Sequence, residues 1–358
     1  MSRLTAAFML VAGLNGSGAL ARAEEKTPPD SKFVSTASLN GNPDVAPIAA
    51  FDPAAAQDFL AFTRLPMEYE EMLLAGKTAE EAREAIDKKL PEGVEGTVIR
   101  HQNSTAVVSF DAAQGVIRVA YDGTSEPADK KDNARFWREA SPIGGRIYTG
   151  FYDAILKESP DGQNLVDAVR QKVEDYAAQA GKPVTLDLTG FSKGGSMAIT
   201  TAAQWIADGF ADGQDGIRMK NVYTFANPAA GDEKFCSTFE NAARASGVNV
   251  SRVVAGGDAV PHILTETAPW YMPGLYHQCG DAFYIGVDKQ GSMRAVENPG
   301  TKDAETFRDN SPKKVWHDPD VYEQAIRDYV TSGMTMTEPA APEKSKPSTT
   351  APRIPARP

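Results

Sequence analysis

Two spacings of apolar residues take turns along the middle of the chain. Short β-rich runs occupy 106–110 and 116–121, on either side of the turn Asp111-Ala112-Ala113-Gln114-Gly115, and predict a hairpin with a loop longer than two residues. Leu165, Val169, Val173 and Ala177 then recur at i, i+4 and predict an amphipathic helix over 162–179, ended by Gly181-Lys182-Pro183. A strand at 184–188, a helix at 193–207, a strand at 221–225, a helix at 232–245 and a strand at 250–255 follow in order. Past 287 the chain is polar until a last helix at 319–331, with Tyr322, Ile326 and Tyr329 on one face. Upstream, 54–75 is helical in composition despite Pro66, and Thr78 with Glu81 forms a capping box opening a helix over 79–89. Strands alternating with helices predict an α/β fold: a mainly parallel central sheet with helices on both faces and an antiparallel hairpin at one side.

The two ends follow other rules. Arg3, the apolar run 4–14 and the small residues at 19–23 have the layout of an export signal over 1–23, with the polar break Asn15-Gly16-Ser17-Gly18 inside it. Residues 24–50 are polar and carry Pro28, Pro29, Pro43 and Pro47, as in a linker; with the helices up to 95 they form an N-terminal segment packing on a catalytic domain at 96–335. The tail 336–358 is crowded with proline and too polar to offset its ordering entropy, so disorder is expected there. No other stretch reaches the ~18 apolar residues that span a bilayer, so no membrane anchor is expected in the mature chain. A secreted or periplasmic protein is the expectation.

Composition narrows the function. Apolar residues make up 41 % and charged residues 24 % of 358, the balance of a globular protein with a sizeable core. A formal net charge of −11 gives no basic face for nucleic acid. Cys236 and Cys279 have no metal-site spacing, and pairing or two thiols both stand open. No cofactor and no metal is expected.

Gly190-Phe191-Ser192-Lys193-Gly194 fits G-x-S-x-G and falls between a predicted strand and a predicted helix. That turn puts a serine hydroxyl above the sheet, and small residues at Gly190, Gly194 and Gly195 let strand and helix approach closely. The N–H of Lys193 then heads a helix, where the dipole favours an oxyanion. A glycine-rich turn without chemistry is the bland alternative; a P-loop and a dinucleotide fingerprint are excluded by spacing. Serine needs a histidine base and usually a carboxylate to orient it. Of four histidines, His101 precedes the serine, while His262 and His277 lie close to the candidate acid. His317, just before the final helix, is the candidate base. Asp258, after the strand at 250–255, is the candidate acid; Asp232 is its rival and fits better as the start of a helix.

Several segments together resemble the class 3 lipases, the fungal-lipase-like α/β hydrolases, over about residues 100–330. They are 106–109, 116–124, Tyr148-Thr149-Gly150-Phe151, 185–195, 222–228 with Gly231, Arg252-Val253-Val254 with Asp258-Ala259-Val260-Pro261, Tyr276-His277, and Trp316-His317 with Tyr322. The resemblance implies an α/β-hydrolase fold. It implies hydrolysis of lipid carboxylic esters through an acyl-enzyme, with Ser192 as nucleophile, His317 as base and Asp258 as the acid that orients it. Thr124 and Lys193 are implied as oxyanion donors. A lid is implied at about 125–145, with Arg135, Phe136 and Trp137 as its contact point, and the partner is then a lipid ester, met at a membrane or lipid surface. Thioesterase, acyltransferase and non-catalytic binding protein are the other readings of such a scaffold. The chain departs from the family pattern at Asp122, where Arg is usual, and at Phe191 and Lys193, where His and Leu are usual. Asp122 and Lys193 are expected near the mouth of the site, where a cation would suit a phospholipid head group.

Overall fold

The computed structural model describes residues 51–123, 138–158, 162–262, 276–287, 293–297 and 317–331. The expected leader, linker and tail, together with Thr124, the Arg135–Trp137 contact point and Trp316, lie outside the described residues.

Alternation along the strands decides the layering. In β2 (Ser104–Asp111), Ala106, Val108 and Phe110 point into one apolar cluster while Val107 joins another on the opposite face. Such a strand is buried on both sides, which is why it reads as a continuous β-rich run. β1 (Val94–His101) pairs antiparallel with β2, and β2 with β3 (Val116–Tyr121). A two-stranded ribbon, β4 (Arg138–Ala140) with β5 (Arg146–Tyr148), stands outside the main sheet. From β3 the main sheet continues in parallel through β6 (Val184–Phe191), β7 (Ile217–Phe225), β8 (Asn249–Ala255) and β9 (Asp281–Val287), and β10 (Met293–Glu297) closes it antiparallel. The strand order is β1-β2-β3-β6-β7-β8-β9-β10.

Helices cover both faces. α1 (Pro53–Leu74) begins with Asp52 capping the N–H groups of Ala54 and Ala55. α2 (Ala79–Asp87) opens on the Thr78–Glu81 capping box that the sequence predicts. α1 lays Ala56, Phe59 and Leu60 against Tyr223 and Phe225, beside the final helix α7 (Pro319–Thr331). On the other face sit α4 (Leu165–Ala180), α5 (Lys193–Ala207) and α6 (Glu233–Ala245), after a short α3 (Thr149–Leu156). α4 is capped by Asn164, which accepts from Asp167 N–H at 2.9 Å, and it ends on Gly181 at φ 60°. The protein therefore has the mainly parallel sheet with helices on both faces expected from its strand–helix alternation, and with it the α/β-hydrolase arrangement that the resemblance implied.

Three strands of the main sheet, β1, β9 and β10, escape the sequence reading, and so do β4 and β5 of the ribbon. β1 carries Gly96 and a mixed burial pattern, as befits a strand with one neighbour. β10 lies in the polar stretch past 287, while β9 is an apolar run just before it that the sequence reading leaves unassigned. β7 starts at Ile217, earlier than the expected 221, and a bulge opposite Leu186/Asp187 inserts one extra residue, Lys220. Met219 and Val222, three apart, then face the same cluster, which breaks the period-two signal.

Candidate active site

β6 runs into α5 with one residue between them. That residue, Ser192, holds φ 57° and ψ −127°, a conformation a side-chain-bearing residue adopts only under constraint. The constraint is visible in its neighbours. A methyl on Gly190 would stand 2.2 Å from the Gly194 carbonyl carbon, and one on Gly194 would stand 2.3 Å from Tyr121 O. One on Gly195 would stand 2.7 Å from Asn227 Cβ. Glycine at these places lets helix and strands touch backbone to backbone. Ser192 N–H donates to Phe225 O at 2.8 Å, and Gly195 N–H to Ser192 O at 3.0 Å, so the turn is tied at both ends.

Asp258 sits three residues beyond β8. Its N–H donates to Ala255 O at 3.1 Å, its Oδ1 accepts from Val260 N–H at 2.9 Å, and it is 1 % exposed. His317, directly before α7, brings Nδ1 within 2.9 Å of Asp258 Oδ2 and Nε2 within 2.7 Å of Ser192 Oγ. An ionised carboxylate only accepts, so Nδ1 carries the ring proton and Nε2 faces the serine hydroxyl as acceptor. The three candidate residues thus meet from three separate connections at the carboxyl ends of parallel strands, where open α/β sheets place their sites.

Tyr322 belongs to the same group. Its hydroxyl donates to Asp258 Oδ2 at 2.8 Å. Burial, then the negative charge of Asp258, push its phenol well above the ordinary tyrosine range, so it stays a donor. From sequence it is an apolar-face residue of the last helix and part of the Trp316-His317 segment of the resemblance, with no role assigned; its nearness to His317 in the chain was the available signal. Phe191, one of the departures from the family pattern, has a packing role. Its ring centroid lies 5.1 Å from that of His317 and 5.4 Å from that of Tyr322.

The other candidates are placed elsewhere. His101 Nε2 bonds Gln163 O at 3.0 Å, and His262 is buried beside Tyr284. His277 N–H donates to Gly231 O at 2.7 Å. Asp232 caps α6, accepting from Phe235 N–H at 2.9 Å, as its rival reading required. One expectation is corrected: Asp122 and Lys193 do not flank the mouth of the site. Their side chains are 0 % and 2 % exposed and face each other 3.8 Å apart. The ammonium follows the buried end of β3, because the glycines of the elbow draw α5 onto it. Cys236 and Cys279 form a disulfide joining α6 to the segment before β9. Among the described residues no cluster of His, Cys, Asp and Glu could hold a metal ion, and no helix is long and apolar enough to cross a membrane.

No curated protein matches the chain. Among solved structures, the chain is similar to lipase II from Rhizopus niveus at 15 % identity, covering 69 % of this chain and 86 % of that one with a TM-score of 0.47. It is similar to a Rhizomucor miehei lipase propeptide complex at 19 % identity, covering 66 % and 70 %, TM-score 0.44. It is also similar to a triacylglycerol lipase from Penicillium expansum at 15 % identity, covering 74 % and 93 %, TM-score 0.46. The likeness in sequence is local: residues 117–268, which hold all of β3 but its first residue, the elbow and Asp258, match the family model described as lipase (class 3). Over this stretch the chain is similar to the class 3 lipases, and the sheet and helices around it have the arrangement of an α/β hydrolase.

Proposed function

We propose that the chain hydrolyses carboxylic esters of lipids through an acyl-enzyme, with Ser192 as nucleophile. The observation that carries this reading is the continuous relay from Tyr322 through Asp258 and His317 to Ser192 Oγ, ending on a serine held at the elbow. His317 Nε2 takes the hydroxyl proton as Oγ attacks the ester carbonyl. Asp258 holds the ring in the required tautomer and stabilises the imidazolium that forms. The carbonyl's electron pair moves onto oxygen, and the oxyanion is met by the N–H of Lys193 at the head of α5, where the helix dipole is favourable. Thr124 supplies the second donor in this reading. His317 then returns the proton to the leaving alcohol, and water repeats the sequence on the acyl-enzyme to release the acid.

With Lys193 buried against Asp122, the head-group argument for phospholipid loses its basis, and neutral lipid esters become the first substrates to try. The Cys236–Cys279 disulfide favours export to an oxidising compartment. The test is a substrate profile over p-nitrophenyl esters, triglyceride, phospholipid and thioesters, with acyl transfer to alcohols measured alongside. Ester hydrolysis exceeding thioester cleavage and transfer supports the proposal; turnover of thioesters alone, or net acyl transfer, contradicts it.

A further inference from the structure

The ion pair behind the elbow is better placed to serve the chemistry than to bind anything. Lys193 is the residue after Ser192, and its side chain turns back to the end of β3, where its ammonium meets Asp122 Oδ2 at 3.8 Å. Asp122 is itself held. Its N–H donates to Thr105 O at 2.9 Å, and its Oδ1 accepts from Thr105 N–H at 3.0 Å. The Thr105 hydroxyl donates to Glu70, a buried carboxylate of α1 that also accepts from Arg100 Nε at 2.8 Å. Glycine contacts reinforce the join: a methyl on Gly194 would meet the carbonyl oxygens of Tyr121 and Asp122 at 2.3 and 2.6 Å.

Burying two charges carries a desolvation penalty that an apolar side chain of the same size would avoid, so the pair is a poor device for stability alone. At 3.8 Å the two groups attract without a hydrogen bond between them, and the attraction draws the Lys193 side chain to one strand end, a preference that an apolar filler lacks. The pair ties the Cα of Lys193, and with it the amide of the same residue, to a strand end that is anchored in turn through Thr105 and Glu70.

We infer that Asp122 and Lys193 are positioning residues: their buried ion pair sets the Lys193 N–H at the place where the oxyanion forms. The inference rests on the hydrolytic reading of Ser192. An oxyanion donor acts on the tetrahedral species and not on the ground-state carbonyl, so a misplaced donor lowers kcat and leaves KM nearly unchanged. Loss of a donor altogether costs about 10²–10³ in kcat, and displacement should cost less, about 10- to 100-fold.

The test uses the full chain as wild type, Lys193→Met, Asp122→Asn, the double variant and Ser192→Ala, with kcat, KM and Tm measured on p-nitrophenyl butyrate. The double variant decides, because it leaves no charge buried alone. It should keep a Tm near wild type and lose about 10- to 100-fold in kcat, with KM within about twofold. The two single effects on kcat should fail to multiply. Wild-type kcat in the double variant would overturn the inference. If that variant does not fold, the isosteric Asp122→Asn alone, which removes the charge at the anchor, should lower kcat about tenfold with KM within about twofold; wild-type kcat there overturns it. An inactive wild type, or a Ser192→Ala variant as active as wild type, would instead sink the hydrolytic reading and the inference with it.

Discussion

Asp258 Oδ2 accepts from both His317 Nδ1 and the Tyr322 hydroxyl, while Oδ1 is taken by the Val260 amide. The carboxylate is therefore fixed from three sides before it fixes the imidazole. Tyr322→Phe removes one charge-assisted hydrogen bond, worth about 1.5–3 kcal/mol when made to an ionised group. The expected outcome is a fall in kcat of roughly tenfold with KM unchanged, read by steady-state kinetics on a soluble ester; an unchanged kcat would show that His317 and Val260 suffice. The four histidines separate more sharply. His317→Ala should cost about 10³-fold or more in kcat/KM, by the logic of a missing base. His262→Ala and His277→Ala should stay within roughly tenfold, because neither ring reaches Ser192 through the hydrogen bonds described above. A variant series with the opposite ranking would refute the assignment of the base.

At the scale of the element, the parallel strands carry the site and were also the most legible part of the chain. β6, β7 and β8 are β-rich runs bounded by helices, and the elbow glycines mark where β6 turns into α5. The helices α4 and α7 follow from apolar spacing, and Asp232 and Gly181 were legible as a helix start and a helix end, whereas the Asn164 cap was not read. Most missed strands have a weak signal: β1 is diluted by its exposed positions, β10 by the polar stretch around it, and β4 and β5 are three residues each; β9 is an apolar run that the sequence reading leaves unassigned. The Ser192, Asp258 and His317 positions were legible because chemistry limits the choice, four histidines being few enough for elimination. The buried pairing of Asp122 with Lys193 was not legible, since charge in a sequence suggests solvent, and the close backbone approach at Gly194 that brings the two residues together is a tertiary contact. Asp187 on β6 is a second buried charge with a consequence. Burial raises its carboxyl above the ordinary aspartate range, against the opposing help of Asn221 and Arg118. The folded state thus holds this proton to higher pH than the unfolded chain. The penalty for ionising it is nil well below the usual aspartate value, grows as pH rises, and is full above the raised value. Asp187→Asn is expected to raise Tm at pH 7 by about 2–4 °C, the shift that ~1 kcal/mol gives a domain of this size. The gain should vanish near pH 3, and thermal melts at both pH values check it.

Across the whole molecule, the site is assembled from connections far apart in sequence, and long-range ties hold them in register. Arg64 of α1 reaches Asp320 at 2.6 Å and Glu323 at 2.8 Å, joining the N-terminal helix to the helix that follows His317. Cys236 and Cys279 close a loop with a sequence separation of 43 that contains Asp258. A closed loop of that length restrains the unfolded chain, and its removal in a Cys236→Ala/Cys279→Ala variant should cost about 2–4 kcal/mol in denaturant unfolding, with kcat at low temperature largely kept. A fall in kcat without loss of stability would instead mean that the bridge shapes the site. The central claim, that Ser192 is the nucleophile of an acyl-transfer relay, is tested most directly by intact-mass and peptide mass spectrometry after treatment with a fluorophosphonate. The account predicts one adduct, on the peptide holding Ser192, with ester hydrolysis lost in step and no labelling in Ser192→Ala or His317→Ala. An adduct on another residue, or a Ser192→Ala variant that labels and hydrolyses like wild type, would contradict it.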